Sequence, residues 1–204
     1  DLDLEILNED SNSRYGYHIG DFDKAAESLE DRNWYFNNKT GYLGTGFYFY
    51  GDKENAEEDA AFLNISKKKD VHTIDLSQYK LFKPQNPENF YDTLVSLTQQ
   101  VGKAAPKISD EVLDSEDFEE TLDEIADVVK TDLGLPLQRE TVHNIIKGFI
   151  KDVRDENNGT LLSNRLLTAS GYEGIDNLDT PLDHFGVGSV LFKVKDSSYQ
   201  KVDI

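Results

Sequence analysis

Residues 44–52 read GTGFYFYGD, and this stretch constrains the fold more than any other part of the chain. Two glycines lead into four consecutive aromatic residues, a composition that predicts a strand over residues 46–50. Asp52 follows as a predicted N-cap, and small residues at helical spacing predict a helix over residues 53–63. The stretch therefore predicts a strand that passes directly into a capped helix.

The predicted strand presents two tyrosines on one face. Because side chains alternate across a strand, Tyr48 and Tyr50 share one face, while Phe47 and Phe49 share the other. Two tyrosines beside a glycine-lined gap can form a wall against a flat ring. The plainer interpretation is a core strand with turn glycines at both ends.

Outside this stretch, strands and helices fall into three blocks. Strands are predicted at residues 15–19, 71–76, 79–82, 174–176 and 188–195. Helices are predicted at residues 23–30, 89–101, 115–131, 140–155 and 161–169. Neither strand section can bury a sheet alone, so we expect an α+β fold whose sheet is assembled from both ends of the chain. No G-x-G-x-x-G follows a strand, which disfavours a doubly wound parallel sheet.

The charge balance restricts the partners. The chain has 21 Lys and Arg against 40 Asp and Glu, for a formal net charge of −19. Such a surface repels phosphate backbones, which argues against binding a nucleic-acid duplex and suits a basic protein partner. No apolar run is long enough to cross a bilayer, so we expect no membrane association.

Several site chemistries are excluded or weakened by composition. The absence of cysteine excludes a disulfide framework, a thiolate zinc site and a cysteine nucleophile. The four histidines are scattered without i, i+4 pairing, so we expect no metal site. The chain begins at Asp1 and contains no methionine, which indicates a fragment or a processed product.

A second motif contains the first histidine. Residues 17–20 read YHIG, with His18 near the end of a predicted strand and Gly20 two residues later. A glycine at this place indicates that a ligand or another backbone comes close. A histidine here is otherwise an ordinary packed residue.

A third cluster consists of carboxylates shortly before the strongest predicted strand. They are Glu173, Asp176, Asp179 and Asp183. A single carboxylate is common in a loop. The position of these four shortly before a strong predicted strand makes them candidates for a functional role.

Taken in order, these motifs resemble the ADP-ribosyltransferase family. The resemblance is to its histidine–tyrosine subclass, which includes diphtheria toxin and the poly(ADP-ribose) polymerases, and it rests on H-x-G, then G-x-G-x-Y-F leading into a helix, then a terminal strand. It covers about half of the chain. Ile19 separates His18 from Gly20 where the family usually has His-Gly, and no glutamate opens the last strand, where residues 187–189 read VGS.

The resemblance implies a fold and an activity. The fold would be one domain over residues 1–204, with an ADP-ribosyltransferase-like split mixed β-sheet and a helical insertion at about 86–158. The activity would be cleavage of NAD at the nicotinamide–ribose bond and transfer of ADP-ribose to a protein or other acceptor, as in bacterial toxins and phage effectors. A soluble protein in the cytoplasm of the producing or target cell would fit that role.

The resemblance also assigns roles to residues. Tyr48 would stack on the nicotinamide ring with Tyr50 as a second wall, His18 would bind a ribose hydroxyl, and Gly20 would help to hold the carboxamide. The other positions assigned to NAD binding are Tyr17, Ile19, Gly46, Phe47 and Asn55. Asp183 is our first choice for the missing carboxylate, and Glu173 and Asp176 are the alternatives.

Two other interpretations remain open. Without a substitute carboxylate, the protein could rely on substrate assistance or be an inactive NAD-binding protein. An acidic protein could instead block a basic partner by charge mimicry, which the net charge supports and the glycine–tyrosine motif does not.

Overall fold

A computed structural model gives the fold and describes residues 14–19, 47–63, 71–155, 162–176 and 189–191. The strands in these ranges are β1 (Tyr15–Ile19), β2 (Phe47–Phe49), β3 (Val71–Asp75), β4 (Leu81–Phe82), β5 (Gly174–Asp176) and β6 (Ser189–Leu191). The helices are α1 (Lys53–Leu63), α2 (Pro87–Ala104), α3 (Asp110–Leu113), α4 (Glu116–Thr131), α5 (Arg139–Arg154) and α6 (Leu162–Ala169). Short 3₁₀ turns occupy Leu76–Gln78 and Ala105–Lys107.

The described residues form a mixture of helices and small sheets, which confirms the α+β class in general terms. Strands β1 and β5 and helix α1 have the predicted bounds. The four-residue helix α3 was not predicted, because one turn is too short to show a periodic pattern. The helix predicted over residues 23–30 lies outside the described residues, and the last strand is described only over Ser189–Leu191.

Helices α2, α3 and α4 begin where their sequences provide side-chain caps, whereas Gln138 before α5 makes no capping side-chain hydrogen bond. The side chain of Asn86 accepts from the backbone N–H of Asn89 at 3.1 Å, and Pro87 opens α2. Ser115 caps α4 through the N–H of Phe118 at 3.3 Å. Proline is well tolerated at the first helical position, and such caps satisfy backbone donors that would otherwise lack a partner.

Helix α5 lies at the centre of this helical region. It packs on α4, α2 and α6. The apolar faces meet in one core that also includes β5. Its fully buried members are Ala105, Leu122, Val129, Ile146, Leu162, Leu166, Leu167 and Ile175. At the surface, Arg139 lies 3.6 Å from both Asp123 and Asp127, which adds a charged contact between α5 and α4.

The sheets join strands from both ends of the chain, as the sequence predicted. β4 pairs in parallel with β5, β5 pairs antiparallel with β6, and β6 pairs antiparallel with β2. A separate two-stranded sheet pairs β1 antiparallel with β3. Residues on both sides of the helical region therefore contribute to one four-stranded sheet.

Aromatic and backbone contacts connect the sheet to the helices. The ring of Phe82 on β4 lies 5.3 Å from Phe90 on α2 and 5.1 Å from Tyr172. Gly171 has φ of +86°, a left-handed conformation that glycine adopts without steric cost. It ends α6 as predicted and turns the chain into β5.

Candidate functional site

The two sequence motifs lie on neighbouring strands. The backbone N–H of Tyr17 donates to the carbonyl of Tyr50 at 2.9 Å, and the N–H of Tyr50 donates to the carbonyl of Tyr17 at 2.8 Å. This reciprocal pair bridges β1 to the end of β2 in an antiparallel sense. The histidine motif and the tyrosine motif, about 30 residues apart in sequence, are thus joined by direct backbone hydrogen bonds.

His18 lies between two neighbours on adjacent strands. It is directly opposite His72 in the β1–β3 register, and paired residues share one face of a sheet. Its half-buried ring also lies 5.6 Å from the ring of Phe49, which is fully buried. The described aromatic neighbour of His18 is therefore Phe49, which alternation places on the face opposite Tyr50.

Gly16 is a site residue that the sequence analysis missed. A Cβ atom at this position would lie 3.1 Å from Cδ1 of Leu76 and 3.2 Å from Cβ of Phe49. Only a glycine lets β1 approach Phe49 this closely without displacing a neighbour. A glycine between Tyr15 and Tyr17, inside a predicted strand, is the sequence signal for this close approach.

The N-terminus of α1 confirms the predicted cap. Asp52 Oδ1 accepts from the backbone N–H of Asn55 at 3.1 Å. Asn55 is exposed in the first turn, and Ala56 after it is fully buried. The cap fixes the angle at which the chain leaves β2.

Of the alternative carboxylates, Asp176 is bound in an ion pair. It is only 7% exposed and binds the guanidinium of Arg14, 162 residues away in sequence. Arg14 directly precedes β1, so this ion pair joins the start of β1 to the end of β5.

Glu173 also has a structural partner. Its carboxylate accepts from the backbone N–H of Lys80 at 3.3 Å, and its own N–H donates to the carbonyl of Lys80 at 2.8 Å. Lys80 Nζ lies 5.0 Å from the ring centre of Tyr172, within the range of a cation–π contact. Glu173 therefore helps to hold β4 beside β5.

Asp75, at the end of β3, carries a shifted carboxyl group. Two hydrogen bonds from Ser77 lower the pKa of Asp75. The larger effect comes from the Ser77 hydroxyl and the smaller one from its backbone N–H. Because the folded-state pKa is lowered, this contribution to stability is present above the unfolded-state pKa and is lost as the pH falls through the folded-state value. Asp75 is directly opposite Tyr15 in the register, so this cap lies where β1 begins.

The remaining assigned positions divide into two groups. Tyr17 and Ile19 are half-buried on β1, opposite Thr73 and Val71. Three assigned residues lie outside the described residues: Gly20, Gly46 and Asp183. The backbone of β2 is described at Phe47 and Tyr48, but their side chains are not. The assignments made to these groups stay predictions.

Two absences in the described ranges bear on ligands and membranes. No three His, Asp or Glu side chains there come together as a metal site would require. None of the helices in those ranges is both long enough and apolar enough to span a bilayer.

Comparison with known proteins gives this chain no relatives. No protein-family model, no curated protein and no solved structure matches it.

Proposed function

We propose that this protein is a mono-ADP-ribosyltransferase. It would cleave NAD at the nicotinamide–ribose bond and transfer ADP-ribose to a protein or other acceptor, in the manner of a bacterial toxin or phage effector. The observation that carries the proposal is the reciprocal Tyr17–Tyr50 backbone pair, because it unites the two motifs on which the family resemblance rests. The ADP-ribosyltransferase-like split sheet is part of the same proposal.

The proposed chemistry makes three demands on the site. An aromatic face must hold the nicotinamide ring, which we assign to Tyr48; Tyr50, proposed as the second wall, is only 8% exposed and is a buried residue. A donor must orient the ribose, which we assign to His18, although its ring lies beside Phe49, on the face opposite Tyr50. Negative charge must lie near the ribose as positive charge develops on it, since electrostatic stabilisation of the transition state is usually the largest catalytic contribution.

Asp183 is the carboxylate that we propose for this last task. Among the alternatives, the Asp176 carboxylate binds Arg14 and the Glu173 carboxylate accepts from the backbone N–H of Lys80. Both carboxylates therefore have structural roles. We expect Asp183→Asn to leave NAD binding nearly intact and to lower turnover by on the order of 10²-fold. Asp179→Asn, four positions earlier in the sequence, is the matched control. Full activity in Asp183→Asn would remove Asp183 from the mechanism and point to Glu173.

Binding is tested separately from turnover. We expect calorimetry to show NAD binding in the presence of a chelator, because the proposed contacts are aromatic and hydrogen-bonding and include no metal. Absence of heat and of a thermal shift at millimolar NAD would overturn the proposal. Binding without turnover would instead support an inactive NAD-binding protein.

The charge-mimicry alternative is favoured by a specific observation. Helix α4 carries seven acidic residues and one lysine, and most of these carboxylates are exposed. This alternative needs no NAD, so the same calorimetry separates it from the main proposal.

A further inference from the structure

The helical region contains a groove between α2 and α4. Both helices pack on α5, while little direct contact joins α2 to α4. The space between them has a volume of about 600 Å³, and Ile146 and Ile150 of α5 form its floor. We call this space the α2–α4 groove, with Leu97 and Val101 on one wall and Ile125 on the other.

The α2–α4 groove is apolar inside and acidic at its edges. Phe118, Ile125 and Val128 of α4 are only half-buried along its wall. The charged residues among the described residues that line it are Asp92, Glu124 and Asp132, all carboxylates. An incompletely covered apolar surface with a rim of one sign is typical of a recognition site.

The dimensions of the groove fit a helix. Its lining runs from Asp92 to Ala104 on α2, which spans about 18 Å at the rise of an α-helix. A guest helix of about 12 residues has this length and would present apolar residues at i, i+3 or i+4, and i+7. Placed over α5 between α2 and α4, it would complete a four-helix arrangement.

We propose that the α2–α4 groove binds a basic amphipathic helix of a partner protein. The apolar face of that helix would cover Phe118 and Ile125, and its Lys or Arg side chains would reach the three rim carboxylates. A second copy of this chain is a poor occupant, because two molecules of net charge −19 repel each other. The site is independent of the NAD proposal, so either can fail without the other.

The test uses the intact protein and a synthetic helical peptide. The probe is a labelled 14-residue peptide with Leu at i, i+3, i+4 and i+7 and Lys on the remaining face, followed by fluorescence anisotropy. The control peptides are a scrambled sequence of the same composition and a version with Glu in place of Lys. We expect saturable one-to-one binding of the basic helix, at least about tenfold tighter than either control, and weaker binding as salt rises.

Two charge reversals on α4 locate the binding surface. Glu124 and Glu120 are both exposed on this helix, but only Glu124 lines the groove. We expect Glu124→Lys to weaken peptide binding about tenfold and Glu120→Lys less than about twofold, although both change the net charge equally. Thr121→Arg, which places a long side chain across the groove from an exposed position, should weaken binding by at least as much as Glu124→Lys.

In the peptide experiments, three results would overturn the proposal. They are no saturable binding of the basic peptide, equal binding of the scrambled peptide, and equal effects of Glu124→Lys and Glu120→Lys. Sedimentation of the protein alone tests whether a second copy of this chain occupies the groove instead. A dimer that Glu124→Lys dissociates would assign the groove to a second copy and contradict the proposal.

Discussion

The helical region at residues 87–155 and the strands that carry the candidate site are held together in different ways. Helices α2 to α4 begin at side-chain caps, and the apolar faces of α2, α4 and α5 follow from local residue spacing. The most extensive helix–helix packing joins α4 and α5, which are consecutive in sequence. The strands have two to five described residues each and pair with partners far away, as β4 does with β5. Stability is therefore expected to come mainly from the helices, while the geometry of the site depends on long-range strand contacts.

The largest expected effect is on the helical core. Leu122 is fully buried between α4 and its neighbours. We expect Leu122→Ala to lower the free energy of unfolding by about 3 kcal/mol, since it removes buried methyl groups and leaves a cavity. Urea denaturation measures the change, and NAD affinity of the folded protein should stay the same. Half-buried Leu137→Ala is the control, and an equal loss there would contradict the location of the core.

A matched pair of glycine substitutions sharpens the comparison between the regions. Gly16→Ala puts a Cβ within 3.2 Å of Leu76 and Phe49, so we expect a loss of about 1–3 kcal/mol in stability. Gly102→Ala on α2 meets nothing within 4 Å, so we expect a gain of about 0.5–1 kcal/mol from helix propensity. Thermal and urea unfolding measure both.

The two variants also differ in their predicted effect on function. Gly16 adjoins the Tyr17–Tyr50 pair, so displacement of β1 should weaken NAD binding, whereas Gly102→Ala should leave it unchanged. If Gly16→Ala proved neutral for both stability and NAD binding, the close approach of β1 to Phe49 would have no role in the site.

A smaller effect is expected from the ring of Tyr48. We expect Tyr48→Ala to cost about 1–3 kcal/mol of NAD affinity, because stacking of a base on an aromatic ring has this magnitude, and Tyr48→Phe to cost much less. Calorimetry with NAD measures both variants. An equal loss in the two would show that the hydroxyl, not the ring, is the group that matters.

The same regional difference decided what the sequence could predict. The helices were predictable because caps such as Asn86 and Ser115 and the apolar spacing are local signals. The adjacency of the two motifs rests on the Tyr17–Tyr50 bridge, which no local pattern specifies. The pairing of Arg14 with Asp176 could not be predicted from local sequence patterns either, because 162 residues separate the two.

Gly16 is a different case, because its signal was present in the sequence. A glycine inside a strand indicates a close backbone approach, and the partner that comes close is Phe49, which the aromatic stretch already placed on a strand. What the sequence lacked was the pairing of the two strands. Pairing depends on the whole fold.

The most direct test of the proposed function is the release of nicotinamide. Purified protein is incubated with NAD labelled in the adenylate part and a cell lysate, and free nicotinamide and label on macromolecules are followed together. The proposed activity predicts that both rise with time, and that Asp183→Asn slows both by on the order of 10²-fold. No release of nicotinamide above the level of a protein-free control would contradict it.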